Sequence, residues 1–532
     1  MHRPLLALGV GLALASNAAA FTRGFLWGSA IAAFQTEMGG DPAHDDQNTD
    51  WWVWTHDQQN ITAGRVSGDQ PEAGPAFYDN YRIDVRRGAR RGLRSNTLRL
   101  SIEWSRIFPA STAGVDASGG VTLAVLQQLD ALANQAEVAH YRDVLLRVRR
   151  AHLKPFVTLN HFTLPLWLHD PLKARDAFTG SDPNGPYPTG FGPAGWLDDS
   201  TVDEFAKYAA YLGWKFGDQV DLWGPVNEPL VVAVNGYLNI PGVIAGNFPP
   251  GVFSFTAILK VVTNLVRAQA VAYDALHQWD AVDADRDGGA AQVGLVAQLP
   301  DWHPQDPTSA DDQVAAQHAD YLFNRVYMNA TILGDADTNA NGTIDPGEHH
   351  PELVGKSDFV GFNYYLLAKA RKLPVAITPV IPLLDFSPTI SYRTDHNPTG
   401  SPCPSECSDF GWEIYPHGIY EMAAEAGSYG LPVYVTENGI ADSDDDQRPR
   451  YLVRHLAELD QANTDGVADV RGYFHWSLVD NFEWASGYYP MFGLFTADPL
   501  THRLVPRPSA GYFRRIAKGN AIPPDLLAAF GH

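Results

Sequence analysis

Two short stretches of the chain, Leu222-Trp-Gly-Pro-Val-Asn-Glu228-Pro229 and Val433-Tyr-Val-Thr-Glu437-Asn-Gly439, decide the fold that we expect for it. Each is a run typical of a buried β-strand, and each stops in a glutamate followed by turn residues. In a parallel α/β barrel the carboxyl ends of all strands meet at one face, and enzymes with this fold carry their reacting groups there. The pattern therefore predicts that Glu228 and Glu437 lie at the same mouth of one barrel.

Six further runs of the same kind lie along the chain. The eight candidate strands are 25–28, 96–101, 155–160, 222–227, 293–297, 358–363, 432–436 and 472–476. Amphipathic stretches such as 202–216, 255–277 and 312–328 separate them. Near-continuous apolar strands that alternate with helices favour a single (β/α)8 barrel of the α/β class. Insertions rich in Gly, Pro and Asp at 39–74, 176–196 and 373–408 are expected to form long loops over the C-terminal face of the barrel, around a pocket.

The composition is that of a large acidic protein. Its 532 residues are 45% apolar and 11% aromatic, and the formal net charge is -23 with a pI of about 5.1. A strongly negative surface repels nucleic acid and anionic membranes, so we expect neither as a partner.

The first twenty residues have the layout of a secretory signal peptide. Met1-His-Arg-Pro precedes the apolar run 5–15, and small residues at 17–20 precede Phe21. The alternative, a membrane anchor, is disfavoured because the apolar run is too short to span a bilayer. We therefore expect residues 1–20 to be removed and a secreted or periplasmic mature protein to comprise residues 21–532.

Paired glutamates at a barrel mouth indicate cleavage of glycosidic bonds. Retaining glycosidases hold their two carboxyl groups about 5–5.5 Å apart, whereas inverting enzymes hold them about 6.5–9.5 Å apart. The sequence contains no distance, so both outcomes stay open on the residues alone. One glutamate at a strand end is more often part of a salt bridge, but two in matched positions beside asparagine favour catalysis.

Five motifs resemble those of glycoside hydrolase family 1, the β-glucosidase and β-galactosidase family. They are 25–30 with Gln35 and Glu37, 98–109, Asn227-Glu228-Pro229, Thr436-Glu437-Asn438-Gly439, and 476–484. Segments 50–57 and 164–171 are most similar to the archaeal branch of that family. The resemblance spans nearly all of the mature chain and implies a (β/α)8 glycoside hydrolase catalytic domain over residues 21–532.

The resemblance implies a retaining mechanism. Glu437 would attack the anomeric carbon, and Glu228 would act as general acid and then as general base. Arg99 would lie beside the nucleophile and keep it ionised, and Tyr365 would donate a hydrogen bond to it. Asn227 would contact the 2-hydroxyl group of the sugar, a contact that strengthens in the transition state. The mechanism needs no cofactor.

The resemblance also assigns a sugar pocket with polar groups around a stacking surface, which is what a neutral polyol requires. The positions that bind hydroxyl groups are Gln35, His161, Asn227, Glu483 and Trp484; Trp476 lies under the apolar face of the sugar and Phe492 forms a neighbouring wall. Without the motifs, His161 would be read as a structural histidine and Trp476 as a core residue. Because the carboxylate of Glu483 would repel a phosphate group, we exclude a 6-phosphoglycosidase.

A calcium loop is predicted away from the sugar pocket. Residues 337–348 fit the twelve-residue pattern of calcium loops, with Gly342 at the sixth position. The ligands would be Asp337, Asn339, Asn341, Thr343 through its carbonyl group, Asp345 and Glu348. Pro346 and Gly347 argue against a regular exit helix, and the alternative is a solvated acidic turn. A similar start at 283–288 has Gly294 in place of the last acid, so we read that loop as metal-free.

The chain has two cysteines, Cys403 and Cys407. In an exported protein a local disulfide between them is favoured over two free thiols.

The sequence thus predicts a secreted, retaining, exo-acting β-glucosidase that hydrolyses terminal non-reducing β-D-glucosyl residues of small β-glucosides or oligosaccharides. A β-galactosidase, or a β-glycosidase or transglycosidase of broad specificity, is the first alternative. The second is a non-catalytic sugar-binding domain on the same fold, which the presence of both glutamates disfavours. The motifs give no indication of the aglycone preference or of the oligomeric state.

Overall fold

A closed barrel of parallel strands forms the centre of the computed structural model, which describes residues 20–240, 246–395, 397–398 and 400–531. The predicted signal peptide lies outside the described residues apart from Ala20. In chain order the strands are β1 (Leu26–Ala30), β2 (Thr97–Ser101), β3 (Lys154–Asn160), β4 (Leu222–Val226), β5 (Gln292–Val293), β6 (Leu295–Gln298), β7 (Asp301–Pro304), β8 (Val360–Tyr364), β9 (Leu367–Lys372), β10 (Phe386–Thr389), β11 (Val433–Asn438), β12 (Val470–Trp476), β13 (Phe495–Ala497) and β14 (Leu504–Pro506).

The barrel sheet has the strand order β5-β4-β3-β2-β1-β12-β11-β8-β6, with every neighbouring pair parallel. Strands β5 and β6 are two halves of one strand that is interrupted at Gly294, so the sheet closes on itself with eight strand positions. A Cβ atom at Gly294 would lie 2.2 Å from the ring of Phe359, so this close approach leaves no room for a side chain. The predicted (β/α)8 barrel is confirmed.

Helices surround the barrel. They are α1 (Ala33–Thr36), α2 (Asp50–His56), α3 (Gln58–Thr62), α4 (Phe77–Asp84), α5 (Trp104–Ile107), α6 (Leu123–Leu132), α7 (Gln135–Arg150), α8 (Pro171–Ala177), α9 (Asp199–Phe216), α10 (Pro229–Tyr237), α11 (Phe255–Trp279), α12 (Ala310–Asp320), α13 (Val326–Met328), α14 (Gly418–Gly427), α15 (Arg448–Asp465), α16 (Pro508–Gly519) and α17 (Pro524–Phe530). Short 3-10 turns lie at Pro42–His44, Pro71–Ala73, Gly195–Leu197, Pro351–Leu353 and Trp484–Ser486, and π-helical turns at Val85–Gly92, Tyr321–Arg325 and Asn329–Leu333.

Helix α11 is long and apolar enough to cross a membrane by length and composition. However, 61% of its most apolar window is buried inside the protein, as is usual for a core helix. Its buried residues include Val261, Leu265 and Leu276, which recur at helical spacing on one face.

Large side chains fill the inside of the barrel. They form a cluster of their own, consisting of Phe156, Leu222, Val296, Phe359, Tyr434 and Phe474. Such side-chain layers make the interior of a (β/α)8 barrel a packed core and not a pore. The guanidinium group of Arg99 lies 5.6 Å from the ring centre of Phe156. The buried polar groups of the barrel mouth therefore rest directly on this apolar cluster.

A second, three-stranded sheet lies outside the barrel. Strands β10, β9 and β7 pair in that order, and β10 comes from the insertion 373–408. The sequence predicts a loop where β10 lies, and β7 and β9 are not among the eight candidate strands. The reason is that β10 reads Phe-Ser-Pro-Thr, and a proline is tolerated in a strand only at an edge of a sheet.

Candidate active site

Glu228 stands at the end of β4 in an unusual backbone conformation. Its φ and ψ angles are 47° and 59°, in the left-handed region, and its backbone N–H donates to the carbonyl oxygen of Val296 at 2.8 Å. Pro229 follows as the first residue of α10. A non-glycine residue in this region costs about 1–3 kcal/mol, and such residues cluster at functional sites. The turn aims the side chain of Glu228 into the barrel mouth, where the residue is buried.

Glu437, in β11, is held by two donors. Arg99 of β2 donates from Nη1 to Oε1 of Glu437, and the hydroxyl group of Tyr365 donates to Oε2 at 2.6 Å. Nη2 of Arg99 donates to Oδ1 of Asn227 at 2.6 Å. Arg99 therefore connects Glu437 with the asparagine that precedes Glu228.

Asn363, at the end of β8, lies between the two glutamates. Its Nδ2 donates to Oε1 of Glu228 at 2.7 Å and to Oδ1 of Asn227 at 3.2 Å, while its Oδ1 accepts from the hydroxyl group of Thr436 at 2.6 Å. The motifs predict a role for Tyr365 but none for Asn363, the last residue of the candidate strand 358–363. The signal for Asn363 was its place at a barrel strand end, two residues before Tyr365.

The two carboxyl groups differ in their electrostatic surroundings. Burial, followed by the neighbouring charge of Glu437, raises the pKa of Glu228 to about 8. Burial also raises the pKa of Glu437, but Arg99, Tyr365 and Asn363 all oppose this rise. We expected Arg99 to keep Glu437 ionised, and the guanidinium group does favour the charged form, although burial outweighs it. The donors at Glu437 and the charge that Glu437 places beside Glu228 therefore favour the proton of the pair on Glu228.

The predicted sugar-binding side chains converge beside this pair. The Nε2 atom of Gln35 donates to Oδ1 of Asn481 at 3.0 Å and to the carbonyl oxygen of Phe482 at 2.9 Å, and Oε1 of Gln35 is buried without a partner. Glu483 accepts from Nε1 of Trp476 at 3.0 Å, and burial raises its pKa to about 8. An acceptor and a carboxyl group thus lie side by side, as recognition of a polyol requires.

His161 is neutral in this setting. Burial and the charge of Arg99 lower its pKa well below the usual value. Its ring is nearly parallel to those of Trp476, at 5.8 Å and 16°, and Trp484, at 5.9 Å and 11°. Its Nε2 lies 3.4 Å from Nδ2 of Asn227. A neutral imidazole between two indole rings offers one donor and one acceptor without adding charge.

These groups surround a pocket of about 720 Å³ that we call the active-site pocket. Of the predicted residues, His161, Asn227, Glu228, Tyr365, Glu437, Trp476, Glu483, Trp484 and Phe492 line it. Arg99 and Gln35 do not line it; they are buried and contact residues that do, or their neighbours.

A further part of the pocket wall is aromatic and built by loops, and the motifs do not assign its residues. Trp302, Phe410 and Trp412 line it together with Pro388–Ser391, Gly400 and Ser401 from the insertion 373–408. The expectation that this insertion forms a wall of the pocket is therefore met. A disulfide bond joins Cys403 to Cys407 next to this wall.

The predicted calcium loop lies outside the active-site pocket. Asp337 accepts hydrogen bonds from two backbone amides of the loop, at 3.1 and 2.7 Å, and Glu348 accepts from two others, both at 2.9 Å. Asp345 accepts from the side-chain amides of Asn339 and Asn341, at 3.1 and 3.0 Å. Among the described residues, groups of three acidic side chains with oxygens within 4.8 Å of one another occur only outside this loop. The carboxylates of Asp337, Asp345 and Glu348 therefore do not converge on one point.

In the similar loop 283–288, a lysine forms ion pairs with two of the aspartates. Nζ of Lys154 lies 2.5 Å from Asp285 and 3.1 Å from Asp287. The buried Asp221 completes this acidic group by accepting from the backbone amides of residues 284 and 285, both at 2.8 Å.

Comparison with known proteins agrees with this geometry. The family model described as "Glycosyl hydrolase family 1" matches residues 17–174 and 190–522. A protein of Pyrococcus woesei named "Beta-galactosidase" is 40% identical over 521 residues, which cover 94% of this chain and 98% of that protein. The β-glycosidase structure from Thermosphaera aggregans has a TM-score of 0.82 and 34% identity over 96% of this chain and 99% of that one. A β-glucosidase structure from Pyrococcus furiosus has a TM-score of 0.77 and 34% identity over 95% and 98%. The resemblance to archaeal members is thus confirmed, and the chain belongs to glycoside hydrolase family 1 as a β-glycosidase.

Proposed function

We propose that the protein is a retaining, exo-acting β-glucosidase that releases terminal non-reducing β-D-glucosyl residues from small β-glucosides or oligosaccharides. The observation that carries this proposal is the asymmetry of the two buried glutamates. Glu437 has a guanidinium group and a phenol hydroxyl at its oxygens, whereas the carboxyl group of Glu228 has an amide donor and a pKa of about 8. A charged nucleophile facing a protonated acid is the pairing that double displacement needs.

In the first step, Glu437 attacks the anomeric carbon while Glu228 gives its proton to the leaving oxygen. The C–O bond of the glycoside breaks, the alcohol leaves, and the sugar is attached to Glu437 as an ester. In the second step, Glu228 takes a proton from water, whose oxygen attacks the same carbon and frees Glu437. The sugar keeps its configuration because the carbon is inverted twice, and an alcohol that replaces water gives transglycosylation.

A β-galactosidase is the second candidate. The relative from Pyrococcus woesei carries that name, and contacts at the 4-hydroxyl group of the sugar decide between glucose and galactose. Measuring kcat/KM for 4-nitrophenyl β-D-glucoside and β-D-galactoside separates the two candidates. We expect the glucoside to be preferred, and a clear preference for the galactoside would assign the second activity.

Proton NMR of the first-formed anomer tests the mechanism. Early β-glucose supports retention and the roles of Glu228 and Glu437, whereas early α-glucose means inversion. If neither glycoside is cleaved, the protein is a sugar-binding domain without catalysis.

We also propose that the loop 337–348 binds a structural Ca²⁺ ion. All of its candidate ligands are oxygens, which suit this hard cation, and Asp337 and Glu348 are buried. The buried Oδ1 atom of Asn339 has no partner. Binding would require Asn339 and Asn341 to turn their amide oxygens towards the loop centre. Thermal unfolding with Ca²⁺ and with a chelator tests this; the same Tm in both would contradict it, and Asp337→Asn should abolish any difference.

Export is a further proposal. The backbone N–H of Phe21 donates to the carbonyl oxygen of Asn520, and Phe21 is buried, so the expected mature N-terminus is fixed to the body of the protein. The disulfide between Cys403 and Cys407 suits an oxidising compartment. N-terminal sequencing of the protein from culture fluid or periplasm should give a start near Phe21; a full-length intracellular protein would contradict the domain division at residue 20.

A further inference from the structure

A second cavity lies beside the active-site pocket and has no assigned role. Its volume is about 510 Å³, within the range of about 300–1,000 Å³ typical of ligand sites. We call it the side cavity. Most of its lining is aliphatic, with Val262, Val266 and Ala270 of α11 on one side and Ile381 and Leu384 on another. Of its charged groups, Asp274 and Glu352 are exposed to solvent, Arg267 is partly exposed, and Asp337 is buried.

The side cavity and the active-site pocket share a wall. Leu230, Val234 and Phe323 line both spaces. All three are partly exposed and not buried, as expected for side chains with open space beside them. Phe323 belongs to the π-helical turn Tyr321–Arg325 and packs on Trp302, another residue of the active-site pocket, at a ring distance of 5.1 Å.

Helix α10 borders both spaces. Leu230 and Val234 are four residues apart and therefore lie on one face of α10, and Leu238, the first residue after the helix, donates its backbone N–H to Val234. Leu230 and Val234 line both spaces, whereas Leu238 lines only the side cavity. The start of this apolar track lies two residues after Glu228. Since Glu228 is the group that protonates the leaving oxygen, the track begins on the leaving-group side of the reaction.

We propose that the side cavity receives the apolar tail of the aglycone, so that the preferred substrates are β-glucosides of long-chain or bulky apolar alcohols. This inference rests on the proposed function. The sugar occupies the residues around Glu437, and the tail follows Leu230 and Val234 into the side cavity. The reaction is unchanged: the C–O bond to the alcohol breaks, Glu228 supplies the proton, and the long-chain alcohol and glucose are the products.

The test is a series of n-alkyl β-D-glucosides from methyl to dodecyl, each used below its micelle concentration. Beyond the shortest members these alcohols differ little as leaving groups, so changes in kcat/KM report binding of the chain. Burial of one methylene group corresponds to up to about a fourfold gain. We expect kcat/KM to rise steadily with chain length, and a flat profile would overturn the proposal.

The variant Val262→Phe places a larger side chain in the side cavity without touching the active-site pocket, and it should sharply lower the dodecyl-to-methyl ratio of kcat/KM. Val314→Phe, the same substitution at an exposed position of α12 outside both spaces, is the matched control and should keep the ratio. An unchanged ratio in Val262→Phe would overturn the proposal. The proposal would also be overturned if Val262→Phe changed the oligomeric state, measured by light scattering, but left the dodecyl-to-methyl ratio unchanged. The side cavity would then be an interface between copies of the chain.

Failure of the proposed function would give a different result. If no glycoside of the series is cleaved, the enzyme assignment is wrong, and tail binding is measured directly by calorimetry with dodecyl and methyl glucoside. Tighter binding of dodecyl glucoside that Val262→Phe removes would still support the side cavity as the tail site, and equal binding of both would reject it.

Discussion

The side-chain nitrogen of Asn363 donates a hydrogen bond of 2.7 Å to Oε1 of Glu228. The same amide group accepts from Thr436, the residue before Glu437, at 2.6 Å. One asparagine thus fixes the distance and orientation of the acid relative to the strand that carries the nucleophile. We infer that Asn363 is a positioning residue for Glu228.

Asn363→Ala should lower kcat/KM for an alkyl glucoside by about 10- to 100-fold, because general acid catalysis depends on placement of the proton. The hydrogen bond from Asn363 lowers the pKa of Glu228, so its loss should move the basic limb of the pH profile upwards. A drop in rate without movement of that limb would mean that Asn363 has only a structural role.

The pH profile of kcat/KM should be bell-shaped. Activity requires a protonated Glu228, so it should fall as the pH rises through about 8. It requires an ionised Glu437, so it should also fall as the pH drops through a value above 4.5. The leaving group of a 2,4-dinitrophenyl glucoside needs no proton, so the pH profile measured with this substrate should lack the basic limb and keep the acidic limb. Persistence of the basic limb would assign it to another group.

Glu437→Gly should reduce kcat by about 10³-fold or more, since the covalent intermediate can no longer form. Azide should fit the space left by the carboxylate and restore turnover of an activated glucoside, with α-glucosyl azide as the product, identified by NMR. Glu228→Ala, treated in the same way, should give the β-azide. If each variant gave the opposite anomer, Glu228 would be the nucleophile and Glu437 the general acid.

Arg99→Gln should move the acidic limb of the pH profile upwards, because the guanidinium group lowers the pKa of Glu437. It should also lower the free energy of unfolding by about 3–5 kcal/mol, since it leaves a buried carboxylate without its cation. Arg99→Lys, which keeps the charge, should shift the limb less. Denaturant unfolding and pH profiles are measured for the unaltered protein, Arg99→Gln and Arg99→Lys. An acidic limb that does not move in Arg99→Gln would contradict the effect of Arg99 on the pKa of Glu437.

Glu103→Gln should stabilise the protein increasingly as the pH rises from 4.5 to 8. Burial raises the pKa of Glu103 to about 8, so the folded state keeps a proton that the unfolded state releases. Stability from this group is present below pH 4.5 and is lost as the pH rises through the folded pKa, by up to about 1.4 kcal/mol per pH unit. Denaturant unfolding at pH 5 and pH 8 measures the difference. Asp311→Asn, at an exposed site, is the control, and an equal effect of Glu103→Gln at both pH values would be inconsistent with a buried neutral Glu103.

The barrel was predictable because its strands are buried on both faces and therefore read as continuous apolar runs. In β3, for example, every residue after Lys154 is buried. Glu228 and Glu437 were predictable because strand ends carry the chemistry of this fold. The side chains that contact these two glutamates were not predictable from the sequence. The bond from Asn363 to Glu228 joins residues 135 positions apart, and only the closed sheet brings them together.

The leaving-group side of the pocket was the least predictable part. The sequence analysis placed the insertion 373–408 near the pocket, but it could not foresee that β10 pairs with β9 and brings residues 388–391 to the rim. Polar and aromatic residues in loops have no periodic pattern, so their contacts are set by tertiary packing. The side cavity is likewise a product of packing between α10, α11 and this insertion.

The split origin of the two sides of the pocket has an evolutionary consequence. The side chains that hold the two glutamates come mostly from strand ends and the turns that follow them, and a change there also disturbs the closure of the barrel. Another part of the rim comes from the insertion 373–408, which joins an outer sheet through β10 and contains a disulfide, so it can vary in length and sequence while the barrel stays intact. Exchange of this segment between relatives should therefore transfer the choice of alcohol while the stereochemistry of the reaction is inherited unchanged.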